Sequence, residues 1–167
     1  FKKFFKEITN KILKLFRLRV VSSREYEKLQ KKSNSDDHLK LLQLTKEKNI
    51  KKILNVLNLS KSQINQDLFV LDQLDFKENG FFFEFGACDG VEISNSYLLE
   101  KNFNWSGILC EPNKFYHTKL QANRSCSIEK KCVYTESGSF VKFNDAQDKA
   151  FSTIQEYSKD DQHKDLR

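Results

Sequence analysis

The sequence predicts an α/β fold in which parallel strands are joined by a helix, and three stretches carry that prediction. Phe81 to Phe85 is a short aromatic run of the length and composition of a buried strand. Gly86 and Gly90 follow at once, with Ala87, Cys88 and Asp89 between them. A second apolar run, Gly107 to Cys110, ends on Glu111. Between the two runs, Ser94, Asn95 and Ser96 offer helix caps, and Tyr97, Leu98 and Leu99 begin an apolar face. Strand, glycine turn, helix, strand and acid together make the first half of a Rossmann-like, nucleotide-binding βαβ unit.

Each part of that unit has a chemical reason. Glycine lets the backbone turn tightly and approach a ligand that a Cβ would strike. The helix behind the turn aims its N-terminal N–H groups at the crevice. Glu111 lies 21 positions after Gly90, close to the spacing of about 20 at which an acid meets the ribose diol in dinucleotide sites. The glycine pattern is Glu84-x-Gly86-x-x-x-Gly90, however, and Cys88 stands where a pyrophosphate site wants its second glycine. Glu84 and Asp89 flank the turn and would repel phosphate. The three acids favour a cationic ligand such as S-adenosylmethionine over NAD or ATP.

These residues carry a family resemblance. Phe82-Phe83-Glu84-Phe85-Gly86-Ala87-Cys88-Asp89-Gly90-Val91, Ser94 to Lys101, Trp105 to Asn113 and Asn123-Arg124-Ser125-Cys126 resemble the FkbM family of S-adenosylmethionine-dependent methyltransferases, as does the upstream Ser62 to Leu71. The resemblance covers roughly the second two-thirds of the chain and implies a class I methyltransferase fold. It implies cofactor binding by Glu84, Gly86, Ala87, Asp89, Gly90, Asn95, Glu111 and Pro112. Of these, Glu84, Gly86, Asp89 and Gly90 would hold the methionine end, and Glu111 the ribose. Gln66 and Asp67, on a helix beside the crevice in that family, could contact cofactor or substrate, or could only cap and orient that helix. The implied reaction is O-methylation of a saccharide or another small hydroxyl substrate. No general base and no metal site are assigned. The family continues with a strand ending in Asp-x-Glu-Gly-x-Glu, which is absent here. The expectation is therefore a partial domain that lacks the C-terminal half of its sheet.

Composition divides the chain in two. Residues 1–61 hold 17 Lys+Arg against 6 Asp+Glu, and the remainder 12 against 17. The division is thus a basic helical extension, 1–61, and a partial nucleotide-binding domain, 62–167. Phe1, Phe4, Phe5, Ile8, Ile12, Leu15 and Phe16 fall at helical spacing, with lysines between them. Residues 1–21 therefore read as a basic amphipathic helix. It either lies in the plane of an anionic membrane or packs its stripe on protein. A non-enzymatic membrane- or partner-binding fragment on a remnant scaffold is the alternative function. No motif points to specific nucleic-acid binding. No stretch approaches the ~20 apolar residues of a membrane span, and no signal peptide is visible. The chain is expected in the cytoplasm, with membrane contact at its periphery. A chain that begins at Phe1 and holds no methionine is read as a trimmed or partial sequence.

The remaining elements follow in order. Residues 24–34 read as helix, Ser33 to Asp37 as a linker, and Leu39 to Leu59 as a helix that Asn49 divides. Ser60-Lys61-Ser62-Gln63 is a candidate capping box opening a helix through Leu74. Pro112 and Asn113 start a helix over Lys114 to Asn123, on which His117 is a packing or surface residue. Ser127 to Tyr134 reads as a third strand whose following residues would flank an adenine. Glu136 to Gly138 is a turn, Ser139 to Asn144 a hairpin-like strand, and Phe151 to Ile154 a short extended piece. None of Cys88, Cys110, Cys126 and Cys132 has metal-binding spacing. Cys88 and Cys110 read as small buried residues, and a disulfide between Cys126 and Cys132 is left open.

Overall fold

The structure is a computed structural model that describes residues 36–159. The expected helices over 1–21 and 24–34 and the tail after Lys159 lie outside the described residues. One compact unit begins at Leu41. In chain order it contains α1 (Ile50–Val56), α2 (Gln66–Gln73), β1 (Phe81–Phe85), α3 (Tyr97–Phe103), β2 (Ser106–Cys110), α4 (His117–Asn123), β3 (Ser127–Glu129), β4 (Phe143–Asn144) and β5 (Thr153–Ile154).

β1, β2 and β3 form a parallel sheet in that order, and β4 and β5 a separate antiparallel ribbon. The fold is α/β, and its sheet is compatible with part of a Rossmann-like fold. The register sets Phe82 against Gly107, Glu84 against Leu109, and Leu109 against Ile128. Because side chains alternate along a strand, these residues share one face. That face carries the core: Phe82 and Leu109 cluster with Leu98 and Leu99 of α3 and Leu120 of α4. A Cβ on Gly107 would lie 2.4 Å from the Phe82 ring, so the ring occupies the space that the missing side chain leaves.

The odd-numbered face of β1 departs from the expected buried strand. Phe81, Phe83 and Phe85 are 65, 53 and 66 % exposed. A strand of four phenylalanines around one acid reads as covered on both faces, but β1 is an edge strand among the described residues, and the helices of the core pack on its other face.

Residues 41–61 also differ from expectation. Assigned by charge to the extension, they instead help to build the domain. Leu41 and Ile53 belong to the core cluster, and Ile53 is completely buried. The helical stretch breaks at Thr45 and Lys46, a short 3-10 turn spans Glu47–Asn49, and α1 starts at Ile50. Asn49 itself is buried and donates through Nδ2 to Asp72 Oδ1 (2.9 Å) and Asp75 Oδ1 (3.2 Å). Asp72, also buried, accepts the Lys46 N–H at 3.1 Å. Charge counting misses this because the lysines of 41–61 lie on the outer side of segments whose inner side is apolar.

Three boundaries move. The Ser60–Gln63 capping box does not form: α2 begins at Gln66 after Asn65, whose φ of +62° turns the chain into the helix. The helix after Pro112 begins at His117, with a turn over 114–116 before it. The third strand spans only Ser127–Glu129 and the fourth only Phe143–Asn144.

Replacing Ile53 with Ala should destabilise the chain by roughly 2–5 kcal/mol, the cost of a cavity at a fully buried site. Urea denaturation followed by circular dichroism measures it. A change below about 0.5 kcal/mol would place residues 41–61 outside the cooperative unit.

Candidate functional site

A cavity of about 180 Å³ opens at the carboxyl ends of β1 and β2, where open parallel sheets bind ligands. Phe85 and Gly86 border it from β1, Cys110, Glu111 and Pro112 from β2, and Phe143 and Ile154 from the β4–β5 ribbon. Its room is close to that of an engineered cavity of roughly 150 Å³ that accepts benzene. One ring system fits inside, and the open mouth lets a larger ligand extend beyond it. Two larger hollows of about 700 Å³ run along the exposed loop 130–142, and one of them reaches Pro112 and Lys130 beyond the ends of β2 and β3, but neither touches Gly86 or Glu111.

The turn after β1 extends the sheet's hydrogen bonds before leaving it. Gly86 and Ala87 donate their N–H groups to Cys110 O (2.9 and 3.3 Å), and Gly90 donates to Ala87 O (2.8 Å). The two glycines then serve different ends. Gly86 has φ +70°, and a Cβ built there meets nothing within 4 Å. Its backbone is bare toward open space, as a ligand-approach glycine requires. Gly90 has φ +80°, and its Cβ would fall 2.6 Å from Leu120 and 2.7 Å from Arg124. That position is glycine for packing.

Glu111 is the acid at the cavity. It is 4 % exposed, and each carboxylate oxygen accepts one main-chain N–H at 2.8 Å: Oε2 from Cys88, and Oε1 from Asn113. A carboxylate offers about four lone-pair sites, so each oxygen keeps one for a ligand hydroxyl. His117 Nε2 lies 2.8 Å from the Glu111 carbonyl. A carbonyl only accepts, so Nε2 carries the proton and the ring is a strut. Burial, followed by the Glu111 charge, pushes the Cys88 thiol up to about 11. Burial and the neighbouring Cys88 push the Tyr116 hydroxyl up to about 12. Both stay protonated at neutral pH, and neither is a base or a thiolate nucleophile there.

Glu84 does not line the cavity. It shares the helix-covered face of β1 with Phe82 and lines, with Asn95, Val70 and Trp105, a groove of about 350 Å³ that also takes in Phe83 and Phe85. Glu84 Oε1 accepts from Asn95 N (2.8 Å); Oε2 accepts from Ser94 Oγ (3.0 Å) and from Ser96 Oγ. Asp89 caps its own turn, accepting from the N–H groups of Val91 and Glu92 at 2.9 and 3.0 Å. Ala87 is in the core. Gln66 accepts from Ile64 N (2.9 Å). Asp67 is fully buried; its Oδ1 accepts from Ser60 Oγ (2.6 Å), Ser62 Oγ (2.7 Å) and Leu68 N (2.8 Å), and its Oδ2 has no partner among the described residues. Of the ten sequence-derived candidates, the cavity gathers Gly86, Glu111 and Pro112. Glu84, Asn95, Asp89 and Gly90 organise the loop behind it, and Gln66 and Asp67 pin residues 60–64 to α2.

Two residues at the site have no isolated signal in the sequence. Arg124, its side chain wholly buried, donates to Glu100 Oε2 (2.8 Å), Gly90 O (3.0 Å), Ser94 Oγ (3.2 Å) and Ser96 Oγ (2.9 Å), and stands 3.9 Å from Glu84 Oε2. Its guanidinium lies over the rings of Phe82 and Tyr97 at 5.5 and 5.7 Å. Asn113 follows the proline and reaches across to the β4–β5 ribbon. A lone Arg at a helix end or a lone Asn after Pro is common, so spacing alone singles out neither.

All four cysteines are free. Among the described residues, no cluster of His, Cys, Asp and Glu could hold a metal, and no helix is long and apolar enough to cross a membrane. No family model, curated protein or solved structure matches the chain.

Exchanging Arg124 for Met should cost roughly 3–5 kcal/mol in urea denaturation, because two carboxylates whose side chains are 10 and 8 % exposed lose their shared, wholly buried cation. A loss under about 1 kcal/mol would mean that Glu84 and Glu100 find other partners.

A pH dependence follows from Glu100. Burial pushes its carboxyl up, but the hydrogen bonds from Ser125 N–H and Arg124 outweigh burial and hold it below its ordinary value of 4.5. A group held lower in the fold than in the unfolded chain stabilises above the unfolded value, and that contribution is lost as pH falls through the folded one. Melting temperature should therefore drop below about pH 4.5, and Glu100→Gln should flatten the drop. An equally steep acid limb in that variant would assign it to other carboxylates.

Proposed function

We propose that this chain is the cofactor-binding part of an S-adenosylmethionine-dependent methyltransferase with a class I methyltransferase fold. Its acceptor would be a saccharide or another small hydroxyl compound, as the FkbM resemblance implies. The observation that supports the reading best is a single cavity at the carboxyl edge of parallel β1 and β2, bordered by the bare backbone of Gly86 and the carboxylate of Glu111. A ribose diol needs two acceptors side by side, and Glu111 keeps a free lone pair on each oxygen once Cys88 N and Asn113 N are bonded. The apolar walls from Phe85, Val133 and Ile154 suit a flat heterocycle.

The residues would act by positioning. Glu111 fixes the ribose, Gly86 admits the chain that leads from it, and the Arg124–Glu84 cluster keeps the turn from shifting. The sulfonium supplies an already activated methyl group, so alignment of donor and acceptor is the main contribution asked of the protein.

Calorimetric titration with S-adenosylhomocysteine tests the reading, with ATP and NAD titrated in parallel. The expected outcome is one site for S-adenosylhomocysteine, weakened roughly tenfold to hundredfold by Glu111→Gln, the worth of hydrogen bonds to a charged group. Silence from the folded chain, an undiminished affinity in the variant, or a preference for ATP or NAD would each overturn it.

A further inference from the structure

The β4–β5 ribbon borders the cavity but has little of its own to hold it there. Each strand contributes two residues, paired as Phe143 with Ile154 and Asn144 with Thr153. A ribbon of that size does not persist alone in water. One attachment runs through Asn113. The Asn113 side chain is 95 % buried, with a relative exposure of 5 %. Its Nδ2 donates to Asp145 Oδ1 (3.2 Å) and to Ser152 Oγ (3.1 Å), which stand at the end of β4 and the start of β5. Ser152 Oγ in turn accepts from the N–H of Ala146, a residue buried to 1 % exposure (3.1 Å). Asn113 Oδ1 accepts from Phe115 N (3.0 Å), so the side chain has no freedom left. Its main-chain N–H meanwhile holds Glu111 Oε1. One residue therefore touches both the acid of the cavity and the ribbon that supplies Phe143, Ser152 and Ile154 to its wall.

We propose that Asn113 is a positioning residue that couples ligand binding at Glu111 to closure of the 143–154 ribbon. The inference rests on the reading of this cavity as an adenosyl site. A nucleoside whose ribose lies on Glu111 also meets the ribbon, so its binding holds the ribbon down. By linkage, whatever holds the ribbon down tightens the nucleoside by the same factor. Asn113 supplies that hold before the ligand arrives.

Hydrogen exchange on the full 167-residue chain, with and without saturating S-adenosylhomocysteine, is the test. Amides of 143–155 should exchange about tenfold more slowly in the complex. Asn113→Ala should weaken S-adenosylhomocysteine about tenfold, a change of about 1.4 kcal/mol, and remove most of that slowing. Asn113→Asp should behave alike, since it keeps the acceptor for Phe115 and loses both donors. Ser152→Ala, which removes one of the two acceptors for Asn113 Nδ2 and leaves the Glu111 carboxylate and its two N–H donors in place, should give a smaller loss in the same direction and decides the matter if the Asn113 variants do not fold. A ligand that binds while ribbon exchange stays unchanged overturns the inference alone, as do variants that lose thermal stability yet keep full affinity and full ligand-dependent slowing. Failure of the unaltered chain to bind S-adenosylhomocysteine overturns the adenosyl reading and this coupling with it.

Discussion

The site depends on one buried carboxylate. Glu111 leaves β2 and accepts an N–H from Cys88, in the turn after β1, and another from Asn113, two residues beyond itself. These are charge-assisted bonds, about twice as strong as neutral ones. They lock the ends of two adjacent parallel strands together around one pair of oxygens. Cys88 has φ +47°, a conformation unfavourable for a residue with a Cβ. The bond from its N–H to Glu111 is part of what holds it there.

Behind the turn, a second charged group does complementary work. Arg124 collects the carbonyl of Gly90, two serine hydroxyls and the Glu100 carboxylate into one buried cluster beside Glu84. Removing an arginine from water is costly unless every donor finds a partner. The loop 90–96 supplies most of those partners, and so the loop is pinned to the end of α4. Glu84 and Glu111 sit at the ends of neighbouring strands, and their roles divide by their partners: Glu84 takes Ser94, Asn95 and Ser96, and Glu111 the N–H groups of Cys88 and Asn113. One builds the loop; the other borders the cavity.

The sheet was legible because aromatic and aliphatic runs, glycines and an acid at fixed spacing are local signals. The parity of β1 was legible too. Counting in twos from Phe82 puts Glu84 on the side that the helices cover, away from Phe83 and Phe85. Alternation does not separate Glu84 from Glu111, which follows Leu109 by two residues; the loop groups of Ser94, Asn95 and Ser96 that bond Glu84 do. The turn role of Asp89 and Gly90 is not legible either, because turn residues that bond to their own backbone have the same composition as those that bond to ligands. The place of residues 41–61 was hidden by lysine content, whereas Asn49 reveals itself only through a partner more than twenty positions away, Asp72. Arg124 and Asn113 share that property. Their importance lies in what the fold brings to them.

Ligand selection at the cavity therefore turns on fewer charges than the sequence suggests. With Glu84 bonded to Ser94, Asn95 and Ser96 and Asp89 to its own turn, Glu111 is the acid that a ligand in the cavity would meet. Two lysines also border the cavity, but neither is idle: Lys149 Nζ is 2.9 Å from Asp145 Oδ1, and Lys131 Nζ is 3.8 Å from Glu129 Oε2. Lys131 is largely exposed, and an exposed lysine is a weak electrostatic partner in water. The buried carboxylate is screened far less. A phosphate beside Glu111 would face that charge at close range with only paired or solvated cations in compensation. A neutral diol or a sulfonium would not. The cavity's own charges thus disfavour phosphate even though two of the three acids point elsewhere.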